Sequence, residues 1–322
     1  MAQTRTLPGE LEALLSSEGR ALLQQFGEAM DRNRTVRVRN RGIVCFEGEN
    51  PEPAVQETSD EHRQGPRGPA ARSRQGSAGR QGPADRPRTP RARPRVRSLR
   101  TAYEEQLGEL EKAYPTLRVF PDDDGMWLHV NSALLDGLTA DATFLVALPF
   151  IVDAGPRAWA FWNTPTGFRW MGDRHTNFFD GSICAFSPTE DDAWSEGESL
   201  ATLVDLYSVW AMRHLHHEVI GRWPGKHYSL PHPYYRLVEV KPDELCTCGI
   251  PGARYGTCCR PNDLKHNIFR LKADFEARHG GRGIRDRAPP TAIADFIDGN
   301  AVLSNMRETH APLREKLYKS DG

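Results

Sequence analysis

The sequence predicts an α+β fold in which a helix, an antiparallel meander, a cysteine-bearing loop and a second helix follow one another. Three observations lead there. Between residues 117 and 171, short apolar segments are separated by turn-forming residues, as in Pro121-Asp122-Asp123-Asp124-Gly125 and Ala154-Gly155-Pro156. On either side, residues 103–114 and 198–218 carry apolar side chains at helical spacing. Farther along, four cysteines crowd between Cys246 and Cys259, marking an element too small to fold unaided.

Taken in order, residues 1–50 read as a small module. Leu11, Leu14, Leu15, Leu22, Leu23, Phe26 and Met30 predict an amphipathic helix over 10–30. Thr35–Phe46 then predicts a hairpin turning at Asn40–Gly42. One helix and one hairpin bury little, so the module must dock elsewhere or stay small. Residues 51–98 collapse to Arg, Pro, Gly, Gln, Ser and Ala, a composition that cannot offset its ordering entropy and predicts a disordered linker. From His62 to Arg100 there are 12 Arg against one acidic residue, Asp85, so the net charge of −1 divides into +11 here and −12 elsewhere. Such an arm is either a solvated tether or a contact for nucleic acid or an acidic partner. It lacks interleaved aromatics, which argues against a single-strand stacking platform.

Residues 99–240 predict the principal domain. Tyr103, Leu107, Leu110 and Tyr114 mark a helix that stops at Pro115. Strands are expected at Leu117–Phe120, Met126–Val130, Thr143–Val152, Ala158–Phe161 and Phe168–Met171, and a long helix from Glu198 to Glu218. Residues 241–262 form the cysteine knuckle. Residues 263–322 predict helices over Asp263–His279 and Thr291–Lys319, expected to pack on that knuckle. A hydrophobic content of 38% is low for one domain but ordinary once the linker is set aside. No stretch approaches ~20 apolar residues, so no membrane span is expected. No signal peptide is evident, and six Cys clustered this way do not resemble a secreted disulfide framework. The expectation is a cytoplasmic protein.

Between the last strand and the long helix lies Asp173-Arg174-His175-Thr176-Asn177-Phe178-Phe179-Asp180-Gly181-Ser182-Ile183-Cys184, with Trp194 beyond. A thiol can carry an acyl group as a thioester that stays reactive toward amines. An Asn amide can donate to the oxyanion formed when an amine attacks. His175 reads as a brace for the loop rather than a base. This stretch resembles the active-site segment of ubiquitin-conjugating enzymes, where His-Pro-Asn precedes a short loop, Gly-Ser-Ile-Cys or a close variant, and then a Trp. The likeness extends over about residues 99–220. It implies a ubiquitin-conjugating-like domain with Cys184 as the thioester-forming nucleophile. By the same resemblance Asn177 is the oxyanion-stabilising or loop-bracing residue, His175 the structural His and Trp194 the packing residue below the loop.

The sequence departs from that family in several places. Thr176 replaces the Pro, the Asn-to-Cys spacing is one residue shorter, and the Tyr-Pro-Phe segment is missing. The interval from Cys184 to Trp194 is longer and holds Glu190, Asp191 and Asp192. These differences point to a divergent, bacterial relative and leave Asp180, Asp191 and Asp192 as unresolved candidates for orienting the amine. The resemblance implies a ubiquitin-like modifier, a ubiquitin-activating-like enzyme and a protein target as partners, in a pathway of the kind that serves antiphage defence. A rival reading is a non-enzymatic adaptor that uses this fold to bind a partner while the linker and knuckle contact nucleic acid.

In the knuckle, Cys246-x-Cys248 and Cys258-Cys259 flank a Gly/Pro-rich loop, so four thiols can converge on one tetrahedral ion, as structural zinc requires. Gly249, Gly252, Arg254, Tyr255, Cys258 and Cys259 also resemble the SEC-C motif, which implies Zn2+ as a structural cofactor and either a staple or a docking role. His214, His217 and Glu218 could share one helix face. They lack metalloprotease spacing, however, and polar His at a helix C-terminus is favourable in its own right.

Overall fold

The structure, a computed structural model, describes residues 17–32, 36–39, 42–45, 96–133, 141–151, 155–164, 167–172, 174–178, 180–186, 194–226, 230, 232–303 and 305–306. The expected disordered linker lies outside these up to residue 95; its last residues, 96–98, already belong to a helix.

Helix α1 (Ser17–Asp31) follows the apolar spacing seen in the sequence and buries Leu23 and Phe26. The hairpin is present as β1 (Val36–Arg39) and β2 (Gly42–Cys45), with Arg39 opposite Gly42. Helix α2 (Val96–Ala113) buries Leu99, Tyr103 and Leu110 on one face and ends ahead of Pro115, whose ring and missing N–H cannot continue it.

Five strands then form an antiparallel meander in chain order: β3 (Arg118–Asp122), β4 (Gly125–Asn131), β5 (Asp141–Pro149), β6 (Arg157–Thr164) and β7 (Gly167–Trp170). The two-residue turn between β3 and β4 is fixed by Asp122, whose Oδ1 accepts from the Asp124 N–H at 3.1 Å.

Alternation along the strands produces two apolar faces. Met126, Leu128, Val130, Phe144, Val146, Leu148, Ala160 and Trp162 face one side and join the core built with α2 and the long helix α3 (Leu200–Ile220). Trp127, Leu145, Ala147, Trp159 and Phe161 face the other. Helix α3 is buried nearly all round because the sheet, α2, α1 and the hairpin surround it. Ser199 caps its start and a left-handed Gly221 its end. The N-terminal module is thus docked on α3, so α1 adds Leu23 and Phe26 to the main core.

The remaining helices are α4 (Pro233–Glu239), α5 (Arg260–Asp263), α6 (Ile268–Arg278) and α7 (Thr291–Ile297). The helix expected over Asp263–His279 is divided, since Asn267 caps a new start by accepting from the N–H groups of Phe269 and Arg270. That expected from Thr291 ends at Ile297, and residues 307–322 lie outside the described ones. The expectation that these helices form one unit on the knuckle needs correction. Phe275 of α6 packs with Tyr235 and Ile284, whereas Ile293, Ile297 and Met306 cover the second face of the sheet. Phe296 meets Phe120 edge-on at 5.4 Å. The physical reason is that a sheet with two apolar faces needs two covers. No described helix is long and apolar enough to cross a membrane.

Candidate active site and cysteine knuckle

The chain leaves β7 and enters the cysteine-bearing loop at His175, which adopts a left-handed φ of 48°. For a residue with a Cβ this is strained by about 1–3 kcal/mol and persists only where the surroundings over-determine it. They do so here. The buried imidazole stacks on Trp223 with ring centres 4.0 Å apart. Its carbonyl accepts from the Trp210 indole at 2.9 Å and from the Cys184 N–H at 3.1 Å. Thr176 pairs with Ile183, the Asn177 N–H donates to the Ser182 carbonyl at 2.6 Å, and the Ile183 N–H donates to Ala158 of β6 at 2.7 Å. The loop is therefore closed on itself and stitched to the sheet. It ends at Cys184, a half-buried thiol outside any disulfide.

Asn177 is exposed, but its amide points inward. Nδ2 donates to Ser182 Oγ and to the Ile183 carbonyl, both at 3.1 Å, which uses both of its N–H groups. Ser182 is fully buried, and its hydroxyl donates to Asp180 Oδ1 at 2.8 Å. Asp180 also accepts from Arg157 of β6 at 2.6 Å, so this carboxylate is engaged in holding the loop to the sheet. Asp191 and Asp192, the other two acidic candidates, lie outside the described residues with Glu190. Trp194 is buried against Phe186, and its indole donates to the Ser199 carbonyl at 2.9 Å.

Sequence reasoning missed a second set of residues packed on this loop. Arg287 is buried; it donates to the Thr176 carbonyl at 3.1 Å and to the Ile284 carbonyl at 3.0 Å, and pairs with buried Glu239 at 3.1 Å. Its guanidinium lies over the rings of Phe178 and Tyr235. Burial and the Glu239 charge push the Tyr235 phenol up to about 12, and Cys184 is close enough to contribute to that rise. Tyr235 therefore keeps its proton at neutral pH. The segment after Arg287 crosses the loop at Gly181, where a Cβ would sit 2.9 Å from both the Ala288 carbonyl carbon and the Trp170 ring. With φ at 65°, that position favours glycine twice over. Arg287 lies 111 residues from Thr176, and nothing in the local pattern around it signals the contact.

In the knuckle, the Sγ atoms of Cys246, Cys248, Cys258 and Cys259 all lie within 4.8 Å of one another. Cys248 and Cys258 are 3.5 Å apart, and Cys258 and Cys259 4.0 Å. Around a tetrahedral ion with metal–sulfur bonds of about 2.3 Å, neighbouring sulfurs stand roughly 3.8 Å apart, so this donor set can hold a metal ion. The Leu245–Arg254 bridge and the Cys246 N–H bond to Ala253 at 2.7 Å close the loop. Below it, buried Tyr255 donates to Asp263 at 3.0 Å, and Asp263 is gripped by Arg236 through two bonds. Arg254 reaches Asp31 of α1. The Ile250 N–H and the neighbouring thiols lower Cys248 to about 7. Cys258 is raised to about 11 chiefly by its bond with Cys248, and Cys259 to about 12 chiefly by burial. Four thiolates at this spacing repel one another, and a bound cation removes that repulsion.

The histidines at the end of α3 do not converge on an ion. His214 Nε2 bonds the Arg174 carbonyl at 2.7 Å, His216 Nδ1 the Arg222 carbonyl at 2.9 Å, and Glu218 pairs with Arg169. Among the described residues, the four cysteines alone bring three or more ligand atoms together. The structure thus gathers His175, Asn177 and Cys184 in one loop and the four knuckle cysteines in another. Comparison with protein-family models, curated proteins and solved structures gave no match to this chain.

Proposed function

We propose that the chain is a ubiquitin-like-protein conjugating transferase of a divergent bacterial kind. The supporting observation is the presentation of Cys184: a half-buried thiol closing a braced loop, its N–H held by His175 and its neighbour Ile183 held by Asn177. In this reading the Cys184 thiolate attacks the modifier's C-terminal carbonyl, carried as a thioester on an activating enzyme. A C–S bond to Cys184 forms, the C–S bond to the activating enzyme breaks, and that enzyme's sulfur leaves as a thiolate that takes up the proton Cys184 lost on ionising. An amine then attacks the new thioester; the C–N bond forms, the C–S bond breaks, and the sulfur takes up a proton as the amine gives one up. Asn177 and His175 act as positioning residues for the thiol, and Asn177 can turn a donor to the oxyanion only by giving up one of its present bonds. The knuckle carries structural zinc, which makes no bond to the reacting atoms. Intact-protein mass spectrometry with an activating enzyme, a ubiquitin-like modifier and ATP tests the proposal, by whether an adduct forms on Cys184.

A further inference from the structure

We infer that metal binding at the cysteine knuckle sets the geometry of the Cys184 loop, with Glu244 as the positioning residue that joins them. Glu244 is completely buried and stands two residues before the ligand Cys246. Its backbone belongs to the knuckle, since the Glu244 carbonyl accepts from the Tyr255 N–H at 2.9 Å. Its carboxylate faces the other way. Oε2 accepts from Arg174 Nη2 at 2.5 Å and from the Lys241 N–H at 2.8 Å, while Oε1 accepts from the Trp223 N–H at 2.5 Å.

Both main partners bear on His175. Arg174 precedes it in the chain, and Trp223 supplies the ring on which its imidazole stacks. One carboxylate therefore grips the strained residue from its backbone side and from its ring side. The His175 carbonyl in turn holds the Cys184 N–H. A buried charge of this kind is tolerated only while its partners stay in register. The knuckle has little core of its own, with Val240, Cys246 and Tyr255 as its buried apolar members, so its register depends on the thiols being drawn together by an ion. A staple that served the knuckle alone would need no buried carboxylate reaching into the neighbouring loop.

The inference bears on the site proposed above, but its test reads loop protection and not transfer, so the two fail separately. Hydrogen–deuterium exchange of the full chain is followed by peptide with zinc bound, after chelation, and after zinc is added back. Alkylation of Cys184 is mapped in parallel. Chelation should speed exchange of residues 174–184 by about tenfold, with β4–β6 still protected, and zinc should reverse it. Glu244→Gln with zinc retained should expose the same loop; Arg174→Lys, which keeps the charge, serves if that variant does not fold. Opening of residues 244–259 with no change at 174–184 would overturn the inference. So would loss of protection throughout the sheet, which would make the knuckle a general staple.

Discussion

The backbone N–H of Cys184 donates to the carbonyl of His175 at 3.1 Å, and the same carbonyl is pinned by Trp210 at 2.9 Å. The position of the thiol is therefore set by main-chain bonds and a buried indole. Removing the sulfur should leave the loop intact, so an effect of Cys184→Ala on chemistry can be separated from an effect on folding.

Asn177→Ala removes two donors from the loop, to Ser182 Oγ and the Ile183 carbonyl. The residue is exposed, so the loss in stability should be only about 1 kcal/mol by chemical denaturation. Asn177→Asp should be at least as harmful, because an oxygen would then face the Ile183 carbonyl. If Asn177 braces the loop, formation and discharge of a Cys184 thioester should both slow. A role confined to the oxyanion would slow discharge alone.

Two helical glycines should respond to alanine with opposite signs. Gly108 in α2 is exposed with nothing within 4 Å of an added Cβ, so Gly108→Ala should stabilise by up to about 1 kcal/mol through helix propensity. A Cβ on Gly27 of α1 would lie 2.1 Å from Nε2 of His216, whose ring is buried and bonded to Arg222. Gly27→Ala should cost about 1–3 kcal/mol and loosen the docking of α1. Equal midpoints for the two variants in urea would refute that packing.

Burial lowers His216 from 6.5 to about 4, and His217 is depressed in the same direction, first by burial and then by Arg174. The unfolded chain binds protons that the folded chain refuses. Their contribution is therefore complete above pH 6.5 and is lost as pH falls from there, for His216 down to about 4 and for His217 beyond that. For His216 alone this is on the order of 2–3 kcal/mol by pH 4. Denaturation midpoints measured from pH 7 to 4.5 should fall steadily; a flat profile would mean that these imidazoles charge within the fold.

Elemental analysis of the purified chain should find one equivalent of zinc, held by Cys246, Cys248, Cys258 and Cys259. Replacing Cys246 and Cys248 together should release it and lower the melting temperature. A folded protein with no metal would contradict the zinc assignment.

The meander was legible because its strands carry apolar residues on alternate positions and its turns carry Asp, Gly and Pro, all local signals. The loop and the knuckle were legible because their residues sit within 14 or fewer positions of one another. What holds the loop was not. Glu244 lies 70 residues from Arg174 and Arg287 lies 111 from Thr176, and a charged residue shows no periodicity that would disclose a buried partner. The covering of the second sheet face by α7 was hidden for the same reason. Ile293 and Ile297 mark an apolar face but do not say which surface it meets.

The central claim rests on Cys184, and intact-mass measurement tests it most directly. The chain is incubated with a confirmed active activating enzyme, its ubiquitin-like modifier and ATP. We predict a mass increase of one modifier that thiol reductant removes, and its absence in Cys184→Ala with the fold retained. No adduct on the wild-type chain, or an adduct that persists in Cys184→Ala, would contradict the account.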